Sequence, residues 1–293
     1  MYTMEIKYEH GDTVLKNAPD FKLRHIFDCG QTFRFDENPD GSYSGAAGSR
    51  ALKISERGND IVLHGISESE FTGFWHDYFD LGRDYGKIKK TLSENDDIMR
   101  RASEYGFGIR ILNQDLWEMI ISFIISASNN IPRIKGIIDR LCRNFGDKLE
   151  YMGEEYFSFP APERLAQLSE TELSVIRAGF RDKYILDAAR RISCGETSLE
   201  YIRSLPAPEA KAELMKIKGV GNKVSDCILL FGLGRADSFP VDVWIKRIME
   251  YCYFKREASI GEVSELAREK FGVLGGYAQQ YLFFWARDNK IGV

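Results

Sequence analysis

The stretch Leu214–Lys246 constrains this chain more than any other. It reads Leu-Met-Lys-Ile-Lys-Gly-Val-Gly-Asn-Lys-Val-Ser-Asp-Cys, then a short apolar run, then Phe-Pro-Val-Asp-Val-Trp-Ile-Lys. Leu214 and Ile217 are three apart and share one face of a predicted first helix. Gly219 and Gly221 break that helix and free the backbone to turn sharply. A second helix is predicted from about Asn222, with Val224, Cys227, Ile228 and Phe231 as its apolar stripe. The turn Gly219-Val220-Gly221 leaves backbone N–H groups unpaired at a helix N-terminus, a geometry that suits a phosphate. The unit is a helix, a hairpin and a helix, over about 211–231.

The rest of the chain must supply what such a unit packs against. Up to about residue 65 the pattern is strands and turns. Ala51-Leu52-Lys53-Ile54-Ser55 alternates, Gly58-Asn59-Asp60 turns, and Ile61-Val62-Leu63-His64 follows, which predicts an antiparallel sheet. From Glu68 the period is helical. Phe71, Phe74, Trp75, Tyr78 and Phe79 form an aromatic stripe, better read as core packing than as a base-stacking surface. Helices are predicted over 96–105, 115–127, 131–145, 160–168, 170–178, 182–194, 243–252, 261–271 and 276–288. The 115–127 segment is strongly apolar and reads as a buried central helix. The fold class is α+β: an N-terminal antiparallel β-sheet domain with flanking helices (1–98) on a two-lobed all-α core (99–293).

Charge and cysteines narrow the function classes. Net charge is −4, but residues 1–100 carry −5 and the remainder +1. That balance argues against a protein that coats DNA, while the basic segment Pro132–Lys148 can still meet phosphates. The five cysteines are far apart, with no metal-ligand spacing and no disulfide framework. All four histidines lie within the first 76 residues, so a Ser-His triad or His-based metal site at the hairpin is not expected. No apolar run reaches membrane-span length and Met1–Lys16 lacks a signal-peptide core. The expected compartment is the cytoplasm, at the nucleoid in a bacterial cell.

Gly-Val-Gly-x-Lys at Gly219–Lys223, with Pro-Val-Asp at Pro240–Asp242, resembles the helix-hairpin-helix DNA glycosylases. Ser225-Asp226-Cys227, Gly30-Gln31-Thr32-Phe33-Arg34, Ser128–Arg133, Gly179–Arg181 and Gly276–Phe283 extend the resemblance to 8-oxoguanine DNA glycosylase over most of the chain. It implies base-excision repair of 8-oxoguanine in duplex DNA, opposite cytosine, by a monomer that also cleaves the abasic strand as a lyase. Some related glycosylases hold an iron–sulfur cluster in a tight four-Cys C-terminal run. That run is absent here, so no cluster and no required cofactor are expected. The resemblance is compatible with a monovalent cation at the hairpin (217–222), held by backbone carbonyls.

Glycosidic cleavage needs a nucleophile at C1′, stabilisation of positive charge on the sugar, and a pocket for the extruded base. A neutral lysine can attack and form a Schiff base. Since a lysine ordinarily titrates near about 10.4, such a site must favour the uncharged amine. Lys223 matches that role; outside the motif it would read as a solvated helix lysine. Asp242 is placed both to cap the next helix and to stabilise the cationic sugar.

The base-binding residues follow from the resemblance. Gly30 offers a carbonyl to the lesion's N7–H, Gln279 bonds the Watson–Crick edge, and Cys227 and Phe283 sandwich the base. Without their neighbours these would read as a turn glycine, a surface glutamine and two core residues. On the DNA side the matches are Asn129, Asn130, Arg133, Phe180, Arg181, Gly219, Val220, Gly221 and Trp244. Arg133 reads the orphaned cytosine or sits on a phosphate. Ser128 replaces the first of three asparagines usual in the family, which leaves open which of Ser128, Asn129 and Asn130 fills the gap. Phe180 stands where Tyr is typical and Trp244 where His is; the first is expected to weaken opposite-base discrimination. Two rivals remain: a glycosylase for another damaged base, and a non-catalytic DNA-binding module.

Overall fold

The computed structural model describes residues 4–292, so Met1–Thr3 of the expected sheet region and Val293 lie outside it. Six strands form the N-terminal sheet: β1 (Glu5–Glu9), β2 (Asp12–Lys16), β3 (Phe35–Glu37), β4 (Tyr43–Ala47), β5 (Arg50–Arg57) and β6 (Asp60–Leu63). The order is β1-β2-β6-β5-β4-β3, antiparallel throughout. Side-chain alternation puts Leu52 and Ile54 of β5, opposite Gly45 and Tyr43 of β4, on the buried face. Phe71, Trp75, Tyr78 and Phe79 cover that face with Leu15, Ile61 and Leu63. The aromatic stripe is therefore core, although Phe71–Trp75 winds as one π turn between short α segments.

Helices that matter for the site are α1 (Leu23–Phe27), α2 (Leu116–Ser126), α3 (Ile131–Phe145), α4 (Asp182–Ser193), α5 (Ala207–Leu214), α6 (Asn222–Leu233), α7 (Val243–Met249) and α8 (Gly275–Asn289). Asp115 caps α2 and Asn130 caps α3, each accepting an N–H three residues on at 3.0 Å. Every residue of α2 from Leu116 to Ile125 is buried, the polar Glu118 and Ser122 included. Around it lies a second apolar cluster containing Tyr85, Ile88 and nearly all the later helices. Among the described residues no helix is long and apolar enough to cross a membrane.

Four local expectations change. Ile217 is not helical: α5 ends at Leu214, and the Ile217 N–H bonds back to the Leu214 carbonyl in a turn at 3.1 Å. Its side chain is nevertheless buried, so the three-residue spacing reported burial rather than helix. The 170–178 segment is helical only over Glu170–Leu173 and tightens to a 3-10 turn at Ser174–Ile176. The 243–252 helix widens to a π turn at Glu250–Phe254. Between α3 and α4 lies an unanticipated hairpin, β7 (Lys148–Tyr151) and β8 (Glu154–Phe157). Its two-residue turn has Met152 and Gly153 at φ 52° and 81°, the primed geometry that matches strand twist. Tyr151 docks it on the larger sheet, its hydroxyl donating to the His64 carbonyl and accepting the Lys53 N–H.

His25 on α1 ties the sheet domain to the helical lobe. It is buried against Phe107 and Phe284, and its Nδ1 accepts the Gly108 N–H at 3.2 Å. Burial, with Arg24 and Lys22 nearby, holds its imidazole down at about 4, against 6.5 when exposed. As pH falls, the unfolded chain binds the proton first. The stability His25 contributes is whole above pH 6.5 and drains away towards about 4. His25→Asn, which keeps an acceptor but does not titrate, should flatten that limb of a denaturant-midpoint-versus-pH curve.

Candidate active site

The hairpin is built from close approach. Gly219 has φ 86°, and a Cβ there would lie 2.8 Å from the Tyr184 ring of α4, so both backbone and space require glycine. Asp187 of α4 accepts the Lys218 N–H at 3.2 Å and pairs with the Lys218 amine. Val220 donates internally to the Ile217 carbonyl, so its N–H is not among the unpaired groups of the hairpin. Gly221 is the N-cap of α6 and offers no side chain. The first-turn N–H groups of α6 therefore have no side-chain cap, a geometry that suits an anion.

Two helix N-termini converge on one cavity of about 360 Å³. Lys223 sits in the first turn of α6, its Nζ 5.4 Å from the centre of the Phe123 ring on α2. Asp242 is the N-cap of α7 and accepts the Ile245 N–H at 2.8 Å, which fixes its rotamer. The wall holds Gly30, Cys227, Gln279 and Phe283, with Asn129, Asn130 and Trp244 at the rim. Lys223 and Cys227 are one turn apart on α6. Burial pushes the Cys227 thiol up to about 11, against the pull of Lys223, so at neutral pH it is an uncharged, polarisable face for a base.

Gly30 has φ 83°, and a Cβ there would lie 3.5 Å from Phe283 Cε1. The segment around it is fixed from inside. The Gln31 amide donates to the carbonyls of Ile26 (2.9 Å) and Arg110 (2.7 Å) and accepts the Leu112 N–H (2.8 Å). Arg34 pairs with Glu118 in the interior at 3.0 Å. The Gly-Gln-Thr-Phe-Arg motif thus divides its work: Gly30 and Phe33 line the cavity, while Gln31 and Arg34 hold the segment from inside.

The remaining expected residues lie outside the cavity. Phe180 is exposed at the tip after Gly179, with the Arg181 guanidinium 4.3 Å from its ring centre. Arg133 is exposed at the start of α3. Arg181 differs from expectation: it is buried, and donates to the carbonyls of Ala127, Ser128 and Ala178. Its guanidinium holds the 127–128 loop rather than facing DNA. Asn129 donates to the Ile125 carbonyl at 3.1 Å and Asn130 caps α3, so both amides are engaged in shaping the loop. Ser128, exposed and at φ 49°, is its tip. Arg181→Met should leave loop carbonyls without donors, costing about 1–3 kcal/mol. A lower melting temperature together with altered opposite-base preference would show it; an unchanged melt would contradict it.

Sequence reasoning missed Phe123, Gln280 and Arg287, which also line the cavity. Phe123 was concealed within an apolar run. Gln280 was the available signal, lying next to Gln279 inside a matched motif. Among the described residues no cluster of three or more His, Cys, Asp or Glu could hold a metal ion.

A helix, a hairpin and a helix, with a lysine in the first turn of the second helix and a capping aspartate lining the same cavity, is the arrangement expected of a helix-hairpin-helix base-excision glycosylase. Residues 13–120 match the 8-oxoguanine DNA glycosylase N-terminal domain, and 121–272 the HhH-GPD superfamily base excision DNA repair protein. An N-glycosylase/DNA lyase of Saccharomyces cerevisiae is 38% identical over 92% of this chain and 77% of its own. A probable N-glycosylase/DNA lyase of Methanothermobacter thermautotrophicus is 32% identical over 62% of this chain and 64% of its own. The crystal structure of Clostridium acetobutylicum 8-oxoguanine glycosylase/lyase, in complex with duplex DNA containing cytosine opposite 8-oxoguanine, is 44% identical. It superposes with a TM-score of 0.94 over 99% of both chains. The chain belongs to the 8-oxoguanine DNA glycosylase family, the bifunctional glycosylases and AP lyases of base-excision repair.

Proposed function

We propose that Lys223 is the nucleophile of this 8-oxoguanine glycosylase, that Asp242 stabilises the charged sugar, and that Gly30 reads the lesion. The observation that carries this reading is convergence: residues from four distant segments of the chain line one cavity. The Lys223 amine attacks C1′ of the flipped nucleotide, the C1′–N9 bond breaks, and the base leaves with a proton. The C1′–O4′ bond of the resulting aminal then opens, O4′ taking up a proton, to give a Schiff base; this withdraws electrons, a proton is lost from C2′, and the 3′ C–O bond breaks by β-elimination. The Asp242 carboxylate, held by its cap bond, faces the positive charge that develops at C1′. Cys227 and Phe283 stack on the base, and Gln279 bonds its Watson–Crick edge.

On the DNA side, Phe180 wedges the duplex and the 128–130 loop, tipped by Ser128, enters the gap. Arg133 meets the orphaned cytosine, the 219–221 turn binds a phosphate, and Trp244 flanks the strand. The protein acts as a monomer in the cytoplasm, at the nucleoid in a bacterial cell, consistent with five free cysteines. It needs no iron–sulfur cluster, and hairpin carbonyls over 217–222 can hold a monovalent cation against the phosphate. A single-turnover panel tests the substrate: 8-oxoguanine opposite each of four bases, an alkylated purine and an oxidised pyrimidine. Fastest excision is expected for 8-oxoguanine opposite cytosine. Faster release of an alkylated purine or oxidised pyrimidine would reassign the pocket.

A further inference from the structure

Gly30 can discriminate only if its carbonyl stays at one depth, and a loop residue at φ 83° does not hold itself there. Gln31 secures the inner side. The outer side is secured across the chain by Arg287, on the last helix. Its Nη1 donates to the Asp28 carbonyl, two residues before Gly30, at 2.6 Å. The same guanidinium lies 5.7 Å from the centre of the Phe283 ring, and Phe283 is what the Gly30 α-carbon faces. One side chain therefore bonds the segment that carries Gly30 and lies beside Phe283, one face of the expected base sandwich.

Arg287 is itself fixed. Asp288 Oδ1 accepts from Arg287 Nε and Nη2, both at 3.0 Å. Asp288 Oδ2 accepts from Arg24 at 2.6 Å and from the Tyr105 hydroxyl at 3.1 Å. The Asp288 side chain is only 11% exposed, and a carboxylate so enclosed and so fully bonded is a rigid anchor. Charge-assisted bonds of this kind are about twice as strong as neutral ones, and they connect α8 directly to the loop after α1.

We propose that Arg287, anchored by Asp288, is a specificity-setting positioning residue: it fixes the distance between the Gly30 carbonyl and the Phe283 ring. This rests on the reading of Gly30 as the lesion-sensing carbonyl. The readout is a ratio: single-turnover excision of 8-oxoguanine over that of an analogue keeping the C8 carbonyl but with N7 replaced by carbon bearing no donor. A general loss of structure slows both substrates and leaves the ratio alone.

Wild type should favour 8-oxoguanine by about tenfold to a hundredfold, as expected for one buried hydrogen bond. Arg287→Met should shrink that ratio by about tenfold, and Asp288→Asn should shrink it less. A wild-type ratio near one overturns the Gly30 reading itself. A large wild-type ratio retained by Arg287→Met overturns the clamp alone. Should Arg287→Met not fold, Asp288→Asn decides, and an unchanged ratio there contradicts the proposal.

Discussion

Lys223→Gln is expected to bind 8-oxoguanine duplex about as tightly as the wild type and to give no borohydride-trappable adduct. Excision should fall by about a thousandfold or more, since removing a nucleophile removes the step and not just a contact. The fold should survive the change. Gln is close to Lys in helix propensity, and Lys223 sits in the first turn of α6, half exposed. Its amine lies 5.4 Å from the centre of the Phe123 ring, a cation–π contact worth about 0.5–1 kcal/mol. A melting temperature within a few degrees of wild type therefore separates lost chemistry from lost structure. Trapping at the wild-type level in this variant would mean that another amine attacks.

Asp242→Asn is expected to slow single-turnover excision by about a hundredfold to a thousandfold, the range seen when one preorganised charge-stabilising group is removed. The substitution separates the two functions of this residue. Asn is as good an N-cap as Asp, so the bond to the Ile245 N–H is kept and α7 still begins where it did. Only the negative charge is lost. Asp242→Ala would lose the cap as well, at about 1 kcal/mol, and should melt lower than the Asn variant at a similar rate. An unchanged rate in Asp242→Asn would reduce the residue to a helix cap.

How much of this was legible depended on the range of the contacts. Lys223, Asp242 and the hairpin could be placed because their signals are local: a glycine at a left-handed position, a capping aspartate before a helix, a lysine in a helix's first turn. Even there, periodicity over-extended the first helix, because Ile217 is buried by a turn and not by a helical face. The β7–β8 hairpin was missed because most of its side chains are exposed or half-exposed, which leaves little apolar alternation to detect. Arg181 looked like a DNA contact in the motif. Its carbonyl partners at Ala127 and Ser128 are more than fifty positions away, and nothing local announces them. The Arg287–Asp28 bond spans 259 positions. Gly30 could be singled out from its neighbours, but what holds it could not.

In the proposed mechanism the amine of Lys223 forms the covalent bond to C1′. The most direct test is peptide mapping of the wild-type protein trapped by borohydride on duplex DNA carrying 8-oxoguanine opposite cytosine. A single adducted peptide is expected, with the DNA remnant on Lys223. An adduct on a different lysine or on the N-terminal amine, or efficient base release with no adduct at all, would contradict it.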